Sequence, residues 1–233
     1  MNRDRKICLN FVKESVGLFL FALLAGVFTM GVMCLILKDQ YILSSTMVIN
    51  IINIMVVILT KGLMEREYSS FICARKALFR INILQDISIA IIETILLGGI
   101  TGIAKAYPSI NESLHMVNIE KTLGTSSIIE FCLFVFLAML FLESIITFDF
   151  MRTNGILKAF FESNNKNKKA SIKGLVIYMG LSFLIGMGTA FFAEVENVVE
   201  RNIILGAMAV VPVVFYIMAV KKVESKEFSV ERV

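Results

Sequence analysis

The first group in this sequence able to do chemistry is a carboxylate inside an apolar run. Glu93 stands in Ile91-Ile92-Glu93-Thr94-Ile95. In hydrocarbon such a side chain costs at least about 2.5–3.5 kcal/mol, and when ionised it must face protein or water. Two roles fit it. It is either a proton- or ion-coupling group, or a protonated acid bonded to Asn50, Asn53 or a backbone carbonyl. Glu143 lies late in another apolar run, where it either lines a cavity or approaches the polar edge of the segment. Asp149 at the end of that run is placed to pair with Arg152, and Glu130 near the opposite end is expected to be wet. These acids show no spacing of a proton relay.

Other chemistries lack their residues. The one histidine, His115, and the four cysteines, Cys8, Cys34, Cys73 and Cys132, are all far apart. Zinc and haem sites need clustered ligands such as HExxH, CxxC or CxxCH. A phosphate-binding GxxxxGK[ST] loop is missing as well, so any ATP used must bind another chain. The expectation is no cofactor and no enzyme activity on this chain. A net charge of +4 comes from cations divided among short loops, which fits a membrane surface and not a nucleic acid.

The elements that position these groups follow from composition. Hydrophobic residues make up 57% of the chain and charged ones 18%, against about 45–50% and a quarter in soluble domains. The apolar residues fall into blocks of roughly 20, enough for a helix to cross a ~30 Å hydrocarbon core. The expected fold is all-α: one polytopic membrane domain with six transmembrane helices at about 15–37, 43–60, 82–103, 127–148, 174–192 and 203–220. Lysine and arginine set the orientation. The N-terminal segment, the loops after the second and fourth spans and the C-terminal tail hold 19 of them. The three intervening loops hold only Lys38, Lys105, Lys121 and Arg201. Both termini are therefore expected in the cytoplasm, with the protein in the cell membrane.

Several loops carry structure of their own. Tyr68, Phe71, Ile72, Ala74, Leu78 and Phe79 follow a helical period in the loop at 61–81, with Arg75, Lys76 and Arg80 beside them. That pattern is either an interfacial helix among anionic lipid headgroups or a docking element for a cytoplasmic partner. Residues 5–13 and the apolar face of Ile156, Leu157, Phe160 and Phe161 read as further interfacial helices. Outside the membrane a helix is expected at about 109–121, opened by Ser109-x-x-Glu112 as a capping box, and Asn111-Glu112-Ser113 matches a glycosylation sequon. Ala90, Thr94, Gly98 and Gly102 form a small-residue stripe suited to close helix packing, within the chain or between two copies. Pro212 should kink the sixth span.

Six spans with both ends inside, an amphipathic N-terminal segment and Glu65-Arg66-Glu67 after the second span resemble the permease subunits of ABC-2-type ABC transporters. Tyr68-Ser69-Ser70 stands where that family usually has Gly-Thr. The resemblance implies export of a hydrophobic or amphipathic compound, such as an antimicrobial peptide, lipid or drug. It implies as partners a separate cytoplasmic ATPase subunit and a second permease copy or paralogue. Glu65, Arg66, Glu67, Phe71 and Ile72 would then form the ATPase-coupling segment, and Glu93, Asn50, Asn53 and Glu143 the intramembrane polar site. The rival readings are an ion- or proton-coupled carrier using Glu93, and a non-transporting immunity or assembly protein.

Overall fold

The computed structural model describes residues 75–114, 116–151 and 191–230, together with separate helical positions between 9 and 28 and between 176 and 188. The secondary structure among these residues is helical. Three long helices dominate: α1 (Arg75–Ala106), α4 (Ile128–Met151) and α5 (Val198–Val230), with two short ones, α2 (Pro108–Leu114) and α3 (Ile119–Leu123), between the first pair. Within them Phe79–Ala106, Ile128–Asp149 and Val198–Lys221 are long and apolar enough to cross a membrane. The expected spans at 82–103, 127–148 and 203–220 fall on these helices. Those at 15–37, 43–60 and 174–192 lie wholly or mostly outside the described residues.

Local chemistry explains each boundary. Ser127 and Glu130 open α4 as a reciprocal cap: the Ser127 amide donates to Glu130 Oε2 at 2.7 Å, and the Glu130 amide to Ser127 Oγ at 3.2 Å. Asn197 caps α5 by accepting the Val199 amide at 2.9 Å. Pro108 ends α1, because it has no N–H to continue the ladder and disfavours a helical residue before it. It then serves as the first residue of α2, where a missing N–H costs nothing.

The segment at 109–121 is not one helix. Asn111 is buried and grips the backbone of Val117 at both ends, donating to its carbonyl at 2.8 Å and accepting its amide at 2.9 Å. This closes a turn that separates α2 from α3. Ser109 lies inside α2 and is not its cap, and the Asn111 amide is engaged in the fold and not offered as a glycosylation acceptor. The first turns of α1 also revise the reading of 61–81. Arg75, Leu78 and Phe79 belong to the same unbroken helix as the apolar segment that follows.

The helices pack with α4 in the middle. It lies along both α1 and α5, which touch each other much less. Of its most apolar stretch 61% is buried, against 17% for α5. The contacts also fix direction. Early α1 meets late α4 and late α5, and early α4 meets early α5. So α4 and α5 run parallel, and α1 runs against them. The main apolar core is built from Ile89, Ala90 and Leu97 of α1, Phe131, Phe134, Met139 and Leu142 of α4, and Leu205 of α5, joined by Phe19 and by Phe192 stacked on Phe134.

At Gly98 α1 comes close to α4, since a Cβ there would collide with Cys132 Sγ. Gly98→Ala is expected to destabilise the bundle by about 1–3 kcal/mol through overpacking. Adding Cys132→Ala should reverse the sign, because alanine is the better helix former by up to about 1 kcal/mol. Apparent melting temperatures of Gly98→Ala, Cys132→Ala and the double variant in mild detergent check this.

Candidate functional site: a buried polar layer

The exposed face of α1 is Leu84, Ile87, Ile91, Ile95 and Ile103, whereas its buried face carries Asn82, Gln85, Asp86, Glu93 and Thr101. A helix in water shows the opposite arrangement. On α5 the exposed residues include Val199, Ile203, Val210, Val213 and Ile217. Apolar outside and polar inside is the distribution expected where lipid is the solvent.

Those buried groups converge on residues from the other two helices. Asp86 is fully enclosed and uses one oxygen, Oδ2, to accept hydrogen bonds from Thr147 Oγ1 at 2.6 Å and Tyr216 Oη at 2.9 Å. A single carboxylate thus joins α1, α4 and α5. Gln85 stands beside it and Asn82 one turn earlier, while Glu143, Ser144 and Asp149 add further buried polar groups on α4. Glu143 shares a helical face with Thr147, four residues on. Hydroxyls in these helices also bond their own backbone, with Ser144 Oγ donating to Phe141 O and Thr94 Oγ1 to Ala90 O, both at 2.7 Å. The layer separates two apolar regions. On one side is the main core, and on the other a smaller cluster of Phe79, Ile83, Phe148, Tyr216, Ala219 and Val220.

A second polar node ties the opposite end. Arg201 is buried and donates through Nη1 to Thr125 Oγ1 and to Val195 O, each at 2.9 Å. Its Nε faces Glu130 Oε1 at 3.5 Å, an ion pair longer than a hydrogen bond. Gly124 lets the α3–α4 turn seat against this segment. Its φ of 53° is left-handed, and a Cβ would strike the carbonyl of Ala193. Glu130 is therefore held in a structural pair and is not simply wet.

Of the residues picked from sequence, Glu93 and Glu143 are fully buried. Glu93 lies two turns from Asp86 on the same face of α1. Asp149 is buried as well, while its expected partner Arg152 lies outside the described residues. Asn50, Asn53, Glu65, Arg66, Glu67, Phe71 and Ile72 lie outside the described residues. Sequence reasoning passed over Asp86, Thr147 and Tyr216. The available signal was Asn82, Gln85 and Asp86 at helical spacing within a segment expected to span, with Glu93 continuing the stripe. Among the described residues no group of His, Cys, Asp and Glu could hold a metal ion.

Among the described residues, fold and site together define a helical bundle with membrane-length apolar helices around a buried polar layer. The chain matches no family model, no curated protein and no solved structure.

Proposed function

We propose that the chain is the permease subunit of an ABC exporter for a hydrophobic or amphipathic compound, driven by ATP hydrolysis on a separate cytoplasmic subunit and acting with a second permease copy or paralogue. The observation that carries this reading is the continuity of α1. It starts at Arg75, in the basic segment that follows Glu65-Arg66-Glu67, and runs unbroken to Ala106. A helix of 32 residues is about 48 Å long at 1.5 Å per residue, longer than a ~30 Å hydrocarbon core. In this reading the excess lies at its start, before the apolar stretch that begins at Phe79, while Asn82, Gln85 and Asp86 lie in the polar layer. A push on the 61–80 segment is transmitted along one rigid rod to the point where α4 and α5 meet α1. That is the mechanical connection an ATP-driven permease needs.

Six spans with both termini cytoplasmic complete the proposal. Helices α4 and α5 run parallel, so two crossings in the same direction need an odd number between them. The apolar run at 174–192 supplies one. Orientation rests on the 19-to-four division of cations.

Affinity purification of the tagged chain from its own membranes tests the partner. A cytoplasmic ATPase should co-purify. Phe71→Ala with Ile72→Ala should lower its recovery severalfold, since apolar anchors carry the affinity of a helix docked in a groove. Glu65→Lys with Glu67→Lys should do the same, more strongly at low salt, where exposed charges are least screened. Full recovery with both variants would make the loop a lipid anchor.

A second reading has its own observation. Asp86, Glu93 and Glu143 are all fully buried carboxyl groups, as a proton- or ion-coupled carrier requires. Glu93→Gln separates the two, because an ATP-driven exporter should keep its ATPase association and stimulation with this substitution.

A further inference from the structure

The two attachments of α5 differ in kind, and Pro212 lies between them. Before the proline, Arg201 makes an ion pair to Glu130 and a hydrogen bond to Thr125 around the start of α4, and a second hydrogen bond to the Val195 carbonyl just ahead of α5. There Ile204, Leu205 and Met208 also pack into the main core. After the proline, the Tyr216 hydroxyl donates to Asp86 Oδ2 at 2.9 Å, a polar attachment among the described residues. The apolar partners change at the same point. Tyr216, Ala219 and Val220 belong to the smaller cluster with Phe79, Ile83 and Phe148. Phe215 adds edge-on contacts to Phe141 and Phe148, with ring centroids 6.3 and 5.8 Å apart. Burial of the aliphatic partners is non-directional, so the hydroxyl bond and the edge-on ring pairs are what fix the position of this part of the helix.

Pro212 is buried inside the helix. It has no N–H for the carbonyl of Met208, and the intrahelical ladder is interrupted at that turn. Helices bend where a bond of this ladder is missing. The break in the ladder thus falls between Met208, which packs into the main core, and Tyr216, which packs into the smaller cluster, with Phe215 still reaching Phe141 beside the main core.

We propose that the part of α5 after Pro212 is a hinged arm, which swings away from α1 and α4 while the part held by Arg201 stays fixed, with the Tyr216–Asp86 hydrogen bond as its catch. Moving the arm opens the small cluster and uncovers the polar layer of Gln85, Asp86, Glu143 and Thr147 from one end. The arm gives up the Phe215–Phe141 contact, while the buried main core and the Arg201 node stay closed. The inference holds for either functional reading, since it concerns only how α5 is attached.

Spin-label distances in proteoliposomes test it without any substrate or partner. The native cysteines are replaced, and labels are placed at two exposed pairs. Leu84→Cys with Met218→Cys reports on the arm, and Ile129→Cys with Val199→Cys reports on the fixed end. Tyr216→Phe removes only the hydroxyl. It should broaden the first distance distribution and shift it to longer values by several ångström, with the second unchanged. Pro212→Ala, which restores the missing donor, should narrow the first distribution. The proposal is overturned if Tyr216→Phe leaves the first pair unchanged, if both pairs widen together, or if Pro212→Ala has no effect on the arm. Should Tyr216→Phe fail to fold, the Pro212→Ala result decides alone.

Discussion

Glu130→Gln is expected to destabilise the protein more than Arg201→Met, although the two residues form one ion pair. The reason is enclosure. Arg201 is almost fully buried, whereas the Glu130 side chain is 24% exposed. Removing the carboxylate charge strands a cation inside the protein, and breaking a buried pair in this way costs about 3–5 kcal/mol. Glu130 is partly wet, so its charge is partly screened, and the lower end of that range is expected. Glutamine keeps the capping contact with Ser127, which isolates the charge effect. Arg201→Met leaves behind an anion that water reaches, and acceptors on Thr125 and Val195 that lose one donor, for a cost of about 1–3 kcal/mol. The double variant should resemble Arg201→Met alone. Thermal unfolding in mild detergent gives the order. If Glu130→Gln were the mildest of the three, the described pairing would be wrong.

Asp86→Leu should be the most damaging substitution within the polar layer. It removes the oxygen that two hydroxyls share. Thr147 can turn to a carbonyl of its own helix, but Tyr216 has no such recourse at the end of a rigid ring. Leaving that phenol without an acceptor costs about 1–3 kcal/mol. Adding Tyr216→Phe should recover most of the loss, because removing both partners of a buried hydrogen bond is nearly neutral where removing one is not. Asp86→Asn keeps an acceptor and should be far milder. A double-mutant cycle on apparent melting temperature measures the coupling. No recovery in the double variant would show that Asp86 is not the acceptor for Tyr216.

The helices were legible in the sequence because hydropathy is a local signal. Apolar runs near 82–103, 127–148 and 203–220 mark α1, α4 and α5, with α4 matched to within a few residues, α1 beginning seven residues earlier at Arg75, and α5 running from Val198 to Val230. Their pairing was not legible. Asp86 finds Thr147 and Tyr216 across 61 and 130 residues of chain, and nothing in the local pattern of any one helix specifies the other two. Glu93 attracts notice in sequence because a carboxylate deep in an apolar run is costly. Asp86, nearer the end of the same run, passes for an interfacial residue until the packing encloses it. Asn111 illustrates the same limit on a small scale. Periodicity continues a helix through 109–121, and a side chain that grips the backbone six residues on breaks it. The S-x-x-E pattern at Ser109 shows that spacing alone does not make a cap, since Pro108 already occupies the start of α2. Ser127 and Glu130, with the same spacing, form the reciprocal cap because both stand at the beginning of their helix.

In the proposed mechanism the segment preceding α1 engages a cytoplasmic ATPase and passes its motion into the membrane. Site-specific photocrosslinking from position 71 tests this in intact cells, where lipid, partner and topology are all native. A photoreactive phenylalanine analogue in place of Phe71 keeps the apolar anchor and reports what it touches. The account predicts a crosslink to a cytoplasmic ATP-hydrolysing protein, weakened when Glu65 and Glu67 are reversed to lysine. Crosslinks to lipid alone, or to other parts of the same chain, would contradict it.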